Sequence, residues 1–243
     1  MPAPITRKFA PLKAGANPSG LPILKGVVFD VDGTLCEPQT YMFQEMRSAL
    51  GITKAIDILD HIYTLPPAAQ DAAQEAIRAI ERRAMLSQVA QPGLAALMRY
   101  LDSKHIRKGI CTRNFNTPVT HLLDKFLPES LFEPIVTRDF RPPKPHPAGI
   151  LHIASSWDLL MEGEEAVPDA SGLIMVGDSI DDMTAGRRAG AATVLLANDV
   201  NEHLIDHEHT DLVIRRLDDL IPILENGFVG DNASSKAAAR SES

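Results

Sequence analysis

Short apolar runs and amphipathic stretches alternate along most of this chain, and that alternation leaves few folds open to it. Val27-Val28-Phe29, Ile106 to Thr112, Ile135-Val136-Thr137, Leu173 to Val176, Thr193 to Leu196 and Leu212-Val213-Ile214 have the length and composition of buried strands. Between them, Leu94, Leu97, Met98 and Leu101 recur at helical spacing, as do Val119, Leu122, Leu123 and Phe126, then Ile150, Leu151, Ala154 and Trp157. Thr117-Pro118 and Pro147 are expected to open two of these helices, and Gly190 to stop the one over Ile180 to Ala189. Leu217 to Leu224 completes the series, and the lone Trp157 reads as a core anchor. Strands that alternate with helices in this way form a parallel sheet with helices on both faces. The expected fold is therefore α/β, a doubly wound, Rossmann-like parallel sheet.

One stretch interrupts the pattern. Pro38 to Leu50 carries Met42, Phe43, Met46 and Leu50 at helical spacing and ends at Gly51, a natural C-terminal cap. Ala55 to Tyr63 repeats the pattern with Ile56, Leu59 and Ile62, and Pro67 to Gln88 places Ala69, Ala73, Ala76, Ile77 and Ile80 on one face. Residues 37–91 thus read as a small helical insert between core segments 21–36 and 92–226. Arg78, Arg82 and Arg83 are expected on its solvated face. Met1 to Gly20 holds Pro2, Pro4, Pro11 and Pro18 and reads as a disordered extension, and Gly227 to Ser243 as a disordered tail poor in residues to bury.

The chemistry is concentrated at the ends of the expected strands, where ligands of open parallel sheets bind. Asp30-Val31-Asp32-Gly33-Thr34 follows the first strand directly. Side chains two apart along an extended chain share a face, so Asp30 and Asp32 should enter one space, where like charge raises the pKa of one of them. Gly33 permits the turn off the strand and Thr34 adds a hydroxyl. On its own, such a stretch could also be a solvated acidic turn, so its partners decide. Thr112-Arg113-Asn114 ends the second strand, Gly177-Asp178-Ser179 ends a later one, and Lys144 stands in the proline-rich loop Arg141-Pro142-Pro143-Lys144-Pro145.

This ordered set resembles the haloacid dehalogenase superfamily, whose four motifs correspond to Asp30-Val-Asp32-Gly-Thr, Thr112, Lys144 and Gly177-Asp178-Ser-Ile-Asp181-Asp182. The stretches Ile56-Asp57-Ile58-Leu59, Cys111-Thr112-Arg113-Asn114 and Arg138-Asp139-Phe140-Arg141-Pro142 are similar to a fungal and plant subgroup of phosphatase-like proteins with a short helical cap. The resemblance implies a Mg-dependent phosphatase acting on a small phosphorylated metabolite, with the insert as cap. By it, Asp30 is the nucleophile and Asp32 the proton shuttle. Asp30, Asp178 and the Asp32 carbonyl hold Mg²⁺, and Asp182, rather than Asp181, orients Lys144 or metal-bound water. Gly33, Thr34, Thr112, Arg113, Asn114 and Lys144 would meet the phosphate. An arginine at a strand end is as often in an ordinary ion pair.

Elementary chemistry supports the same assignment. A carboxylate is ionised at neutral pH and needs only relief from phosphate repulsion to act as a nucleophile, and hard cations held by oxygen ligands supply that relief. A phosphomutase would use the same covalent intermediate and pass the group to a sugar phosphate. A non-enzymatic phosphoprotein or binding scaffold would keep it, although a receiver-type domain lacks both the paired acids and the insert. Selection among substrates falls to the cap, where Tyr41, Met42, Arg47, His61 and Tyr63 are the nominated residues.

Composition narrows the partners. With 24 Lys and Arg against 32 Asp and Glu, the net charge of -8 speaks against nucleic-acid binding. No apolar run approaches the ~20 residues that span a membrane. Two cysteines, Cys36 and Cys111, fit buried thiols in a reducing compartment. A cytoplasmic location is expected. An organelle is the alternative, because Arg7, Lys8, Lys13 and Lys25 precede the first acid, Asp30, although the prolines oppose a transit helix. His203, His207 and His209 read as a solvated loop.

Overall fold

A computed structural model describes residues 6–13, 20–163 and 166–230. Six parallel strands form one sheet: β1 (Gly26–Phe29), β2 (Arg107–Cys111), β3 (Ile135–Val136), β4 (Leu173–Gly177), β5 (Ala192–Leu196) and β6 (Leu212–Ile214). Their order is β3-β2-β1-β4-β5-β6, so the chain builds outward from β1 in one direction, then crosses over and builds in the other. The reversal falls between β1 and β4, which pair from Gly26 with Leu173 to Phe29 with Val176. A crevice opens at such a point beyond the strand ends.

β1 is buried on both faces because its neighbours supply apolar layers above and below. Val27 and Phe29 join Leu97, Leu101, Val119, Leu122, Leu220 and Leu224 on one side. Val28 joins Cys111, Ile150, Ile153, Trp157 and Met175 on the other. The helices concerned are α4 (Leu94–Ser103), α5 (Asn116–Phe126) and α8 (Leu220–Asn226) on the first face, α6 (Ala148–Ser156) and α7 (Ile180–Ala189) on the second. Trp157 is a core residue as expected, its indole N–H donating to the Glu133 carbonyl at 2.7 Å. The expected opening of α5 at Thr117 is corrected: the helix starts at Asn116 after Phe115, with no side-chain cap.

Three helices lie between β1 and α4: α1 (Thr40–Leu50), α2 (Ile58–Thr64) and α3 (Pro67–Leu86). They share their own apolar cluster, in which Met42, Met46, Leu59, Ile62, Ile77 and Ile80 meet. Gly51 ends α1 in the left-handed conformation, φ +66°. The second helix starts later than its periodicity predicts, because Asp57 caps it by accepting from the N–H groups of Leu59 and Asp60 at 2.9 and 3.0 Å. The chain leaves the core and returns to it through adjoining segments, Glu37 N–H bonding the Val89 carbonyl at 2.9 Å and Gln91 N–H the Leu35 carbonyl at 3.1 Å.

The termini require a correction. Met1 to Gly20 reads as a disordered extension, yet within its described part Phe9 is buried and its ring packs, tilted, at 5.6 Å between centroids against Phe228, itself fully buried. Phe9 N–H donates to the Phe228 carbonyl at 3.0 Å and Leu12 N–H to the Leu224 carbonyl at 2.9 Å. Aromatic burial of this kind outweighs the disfavour of the flanking prolines for regular structure, since an extended strap needs none. The rest of the expected tail, 231–243, and of the N-terminal extension, 1–5 and 14–19, lies outside the described residues. No helix among the described residues is long and apolar enough to cross a membrane.

Candidate active site

The ends of β1, β2, β4 and β5 open into one cavity of about 460 Å³, roofed by α1, α2 and α3. Asp30, Asp32, Gly33, Thr112, Arg113, Asn114, Lys144 and Asp178 all line it. The topology explains the convergence. In a parallel sheet every strand ends at the same edge, so short motifs far apart in sequence become neighbours.

Lys144 is the electrostatic centre. Its ammonium donates to Asp30 Oδ1 at 2.7 Å and also bonds Asp182 Oδ1. Burial alone would push Lys144 down, but Asp182 and Asp30 outweigh it and hold the lysine charged. Asp30 is pushed up to about 7, chiefly by burial and against the pull of Lys144. Asp182 is fully buried and serves as third residue of a capping box at the start of α7. Its Oδ2 accepts from the Ser179 hydroxyl at 2.6 Å and the Ser179 N–H at 3.0 Å. A helix terminus thus aims one carboxylate oxygen at Lys144.

Asp32 has a different environment from Asp30. Burial raises its pKa, while Asn114 Nδ2, donating to Asp32 Oδ2 at 2.7 Å, and the Cys36 thiol beside Oδ1 pull it back. The Asn114 amide is thereby placed on the acid rather than held open for a ligand. Gly33 adopts φ +80°, and a Cβ there would overlap the Asp178 carboxylate. The Gly33 carbonyl accepts from Gln91 Nε2 at 2.7 Å, which ties the turn to the return segment of the helical insert.

Carboxylate oxygens of Asp30, Asp178 and Asp182 lie within 4.8 Å of one another. Burial, followed by repulsion from Asp182 and Asp30, holds Asp178 well above the usual carboxylate range. Clustered acids of which Asp30 and Asp178 are held above the usual carboxylate range are a donor set that a hard divalent cation would relieve, so the residues fit a Mg²⁺ site. Asp182 has both oxygens engaged, Oδ1 by Lys144 and Oδ2 by Ser179, whereas Asp30 has only Oδ1 on Lys144 and the Asp178 carboxylate makes no hydrogen bond among the described residues, so Asp30 and Asp178 are the side chains with oxygens to offer a cation. The Asp178 carbonyl is fixed by Asn201 Nδ2 at 2.7 Å, and the same amide group bonds the Leu196 carbonyl at 3.0 Å.

Two of the expected phosphate contacts have other surroundings in this structure. Thr34 is fully buried, does not line the cavity, and its hydroxyl has no hydrogen-bond partner among the described residues, because the turn after Val31 directs it inward. Arg113 does line the cavity, but its guanidinium is engaged by the Asp57 carboxylate at 2.8 and 2.7 Å and by Asp181 at 2.5 Å. Asp181 is therefore an ion-pair partner rather than only a solvent-facing charge at the helix start. Thr112 is buried at the cavity wall, with Oγ1 accepting from Asn114 N–H at 3.2 Å. Of the nominated insert residues, Arg47 lines the cavity. Met42 belongs to the insert's own core, Tyr41 bonds Ser87 at the surface, and the Tyr63 ring lies under Arg141. The exposed Arg82 and Arg83 pair with Glu75 and Glu45, as a solvated face would. His203 reaches the cavity rim, and His209 bonds Thr184 at 3.0 Å.

Sequence reasoning missed the buried pair Arg138 and Glu81, whose oxygens and nitrogens meet at 3.1 and 2.5 Å in the cavity wall. Burial pushes Glu81 up to about 7 against the pull of Arg138. A signal was present: Glu81 follows Ile77 by four residues and lies on the buried stripe of α3. Asn201 and Gln91 carried no comparable signal.

An open parallel sheet with a D-x-D turn, a lysine between two carboxylates and a helical roof defines the class. The chain belongs to the haloacid dehalogenase-like hydrolase family, whose model matches residues 24–190. An uncharacterised hydrolase of Saccharomyces cerevisiae, YOR131C, is 48% identical over 211 residues, covering 85% of this chain and 92% of the yeast protein. A haloacid dehalogenase-like hydrolase domain-containing protein of Arabidopsis thaliana, At2g33255, is 39% identical over 184 residues and 71% of each chain. Among solved structures, a predicted phosphoglycolate phosphatase from Haemophilus somnus superposes with a TM-score of 0.64 at 18% identity, over 82% of this chain and 97% of that one. CbbY from Rhodobacter sphaeroides, in complex with a xylulose bisphosphate, superposes at 0.60 and 20% identity, over 82% and 96%. At these identities the structures establish the shared fold.

Proposed function

We propose that this hydrolase cleaves small-molecule phosphate monoesters through an aspartyl-phosphate on Asp30. The observation that carries the reading is the different environment of two carboxylates in one cavity: Asp30 bonded to a charged lysine, Asp32 bonded to an amide and a thiol. In the first step an Asp30 oxygen attacks phosphorus, the bond to the leaving oxygen breaks, and Asp32 gives that oxygen its proton. In the second, water attacks the same phosphorus, Asp32 takes its proton, and the bond to Asp30 breaks. Lys144, kept charged by its two carboxylates, and Thr112 bind phosphoryl oxygens, while Asp182 positions Lys144. Asp30 and Asp178, with the Asp32 carbonyl, would hold Mg²⁺, which when bound offsets the negative charge of the phosphate.

The test is release of inorganic phosphate from p-nitrophenyl phosphate with Mg²⁺ by the purified protein and by Asp30→Asn. Loss of turnover in the variant is expected, and retained turnover overturns the nucleophile. Interconversion of sugar phosphate isomers without net phosphate release would move the reading to a phosphomutase.

A further inference from the structure

Four Lys and Arg side chains line the cavity among the described residues, and they are not alike. Lys144 pairs with Asp30 and Asp182, Arg113 with Asp57 and Asp181, and Arg138 with Glu81. Arg47 has no carboxylate partner among the described residues. The one hydrogen bond of its guanidinium among the described residues is a long one, 3.4 Å, from Nη1 to the Phe43 carbonyl one turn earlier on α1, and its Nε is buried with no partner among them. An unmet buried donor on a charged group is costly to keep. The same helix face presents Phe43, 39% exposed although it lines the cavity, and Met46. Ile58 and Leu59 of α2 continue the apolar surface.

We infer that Arg47 is a specificity residue that receives a second anionic group of the substrate, a carboxylate or a second phosphate, joined to the reacting phosphate by an apolar or aromatic body packed on Phe43 and Met46. The inference rests on the phosphomonoesterase reading. Three cavity cations are neutralised by the protein itself, so the one left over on the cap is matched by charge that arrives with the leaving group. Planar guanidinium suits a bidentate oxyanion of either kind.

The test compares phenyl phosphate with 4-carboxyphenyl phosphate as substrates of the wild-type protein and of Arg47→Gln. In parallel, calorimetry follows binding of benzylphosphonate and 4-carboxybenzylphosphonate, which cannot be hydrolysed. Wild type should prefer the carboxylated member of each pair by about tenfold or more, the range of one charge-assisted hydrogen bond, mainly through KM. Arg47→Gln should reduce that ratio to near one, and Arg47→Lys should restore part of it. Equal treatment of the two members by wild type, or an unchanged ratio in Arg47→Gln, overturns the assignment. Preferential binding of the carboxylated phosphonate without turnover of either ester leaves Arg47 in place and overturns the hydrolytic reading. Binding of neither phosphonate together with turnover of neither ester overturns both.

Discussion

Gly33 shows how narrowly single positions are set here. Its φ of +80° suits glycine, and the space a Cβ would need is filled by the Asp178 carboxylate. Gly33→Ala should lose about 1–2 kcal/mol to the left-handed backbone alone, measured by urea unfolding, and phosphate release should fall as Asp178 is displaced. Asp57 is set by its partners instead. Burial works against its charge, but the Arg113 hydrogen bond and the N–H groups of Asp60 and Leu59 prevail and lower its pKa. A lowered carboxyl pKa means that the folded state binds fewer protons than the unfolded one. Its contribution is present above the unfolded value near 3.8 and is lost as pH falls through the lower folded value. The protection factors of the α2 amides, that is exchange relative to the intrinsic rate at each pH, should therefore fall below about pH 4, and Asp57→Asn should show the lower protection already at neutral pH. An unchanged α2 in that variant would contradict the role given to the pair. At this scale the sequence was informative wherever a motif named its own neighbours. Asp30, Asp32, Thr112, Lys144 and Asp178 do share one cavity. It allowed an ion pair for Arg113 but did not name Asp57, which lies 56 positions away on the helical insert, as the partner.

At the scale of elements, the joint between α3 and the core is built on a buried ion pair. Glu81 and Arg138 are 4% and 3% exposed, so either one alone would leave an uncompensated charge inside the protein. Glu81→Ala should cost about 3–5 kcal/mol in chemical denaturation, whereas replacing both with apolar residues of similar volume should cost much less. Equal losses in the single and double variants would show that packing, not charge, holds the joint. Other contacts join the same parts: Arg141 stacks on Tyr63, Lys125 Nζ bonds the Gln88 carbonyl at 2.9 Å, and Gln91 bonds the D-x-D turn. The cap helices themselves were readable, since each carries an apolar stripe at helical spacing. Which of their residues face the cavity was not. Phe43, Met46 and Arg47 face it where Tyr41 and His61 do not, because facing depends on the rotation of each helix against its partners and not on its own periodicity.

Across the whole molecule, the two ends of the described chain close on one another. Phe9 and Phe228 stack, and Lys8 bridges to Val229, so residues that composition marks as loose complete the apolar face under α8. Phe9→Ala should cost about 3–5 kcal/mol, read as a lower urea midpoint with an unchanged slope. A loss below about 1 kcal/mol, the range of surface substitutions, would mean that the strap is peripheral. The sequence by itself determined the sheet, its helices on both faces and the edge on which the acids gather. Those features follow from local periodicity and from the rule that parallel strands end together. Tertiary structure alone decided the ion pairs between cap and core, the inward turn of Thr34, the capture of Arg113 by two acids and the isolation of Arg47. Each depends on distances between groups remote in sequence, and charge pairing is decided by separation and burial, neither of which a local pattern encodes.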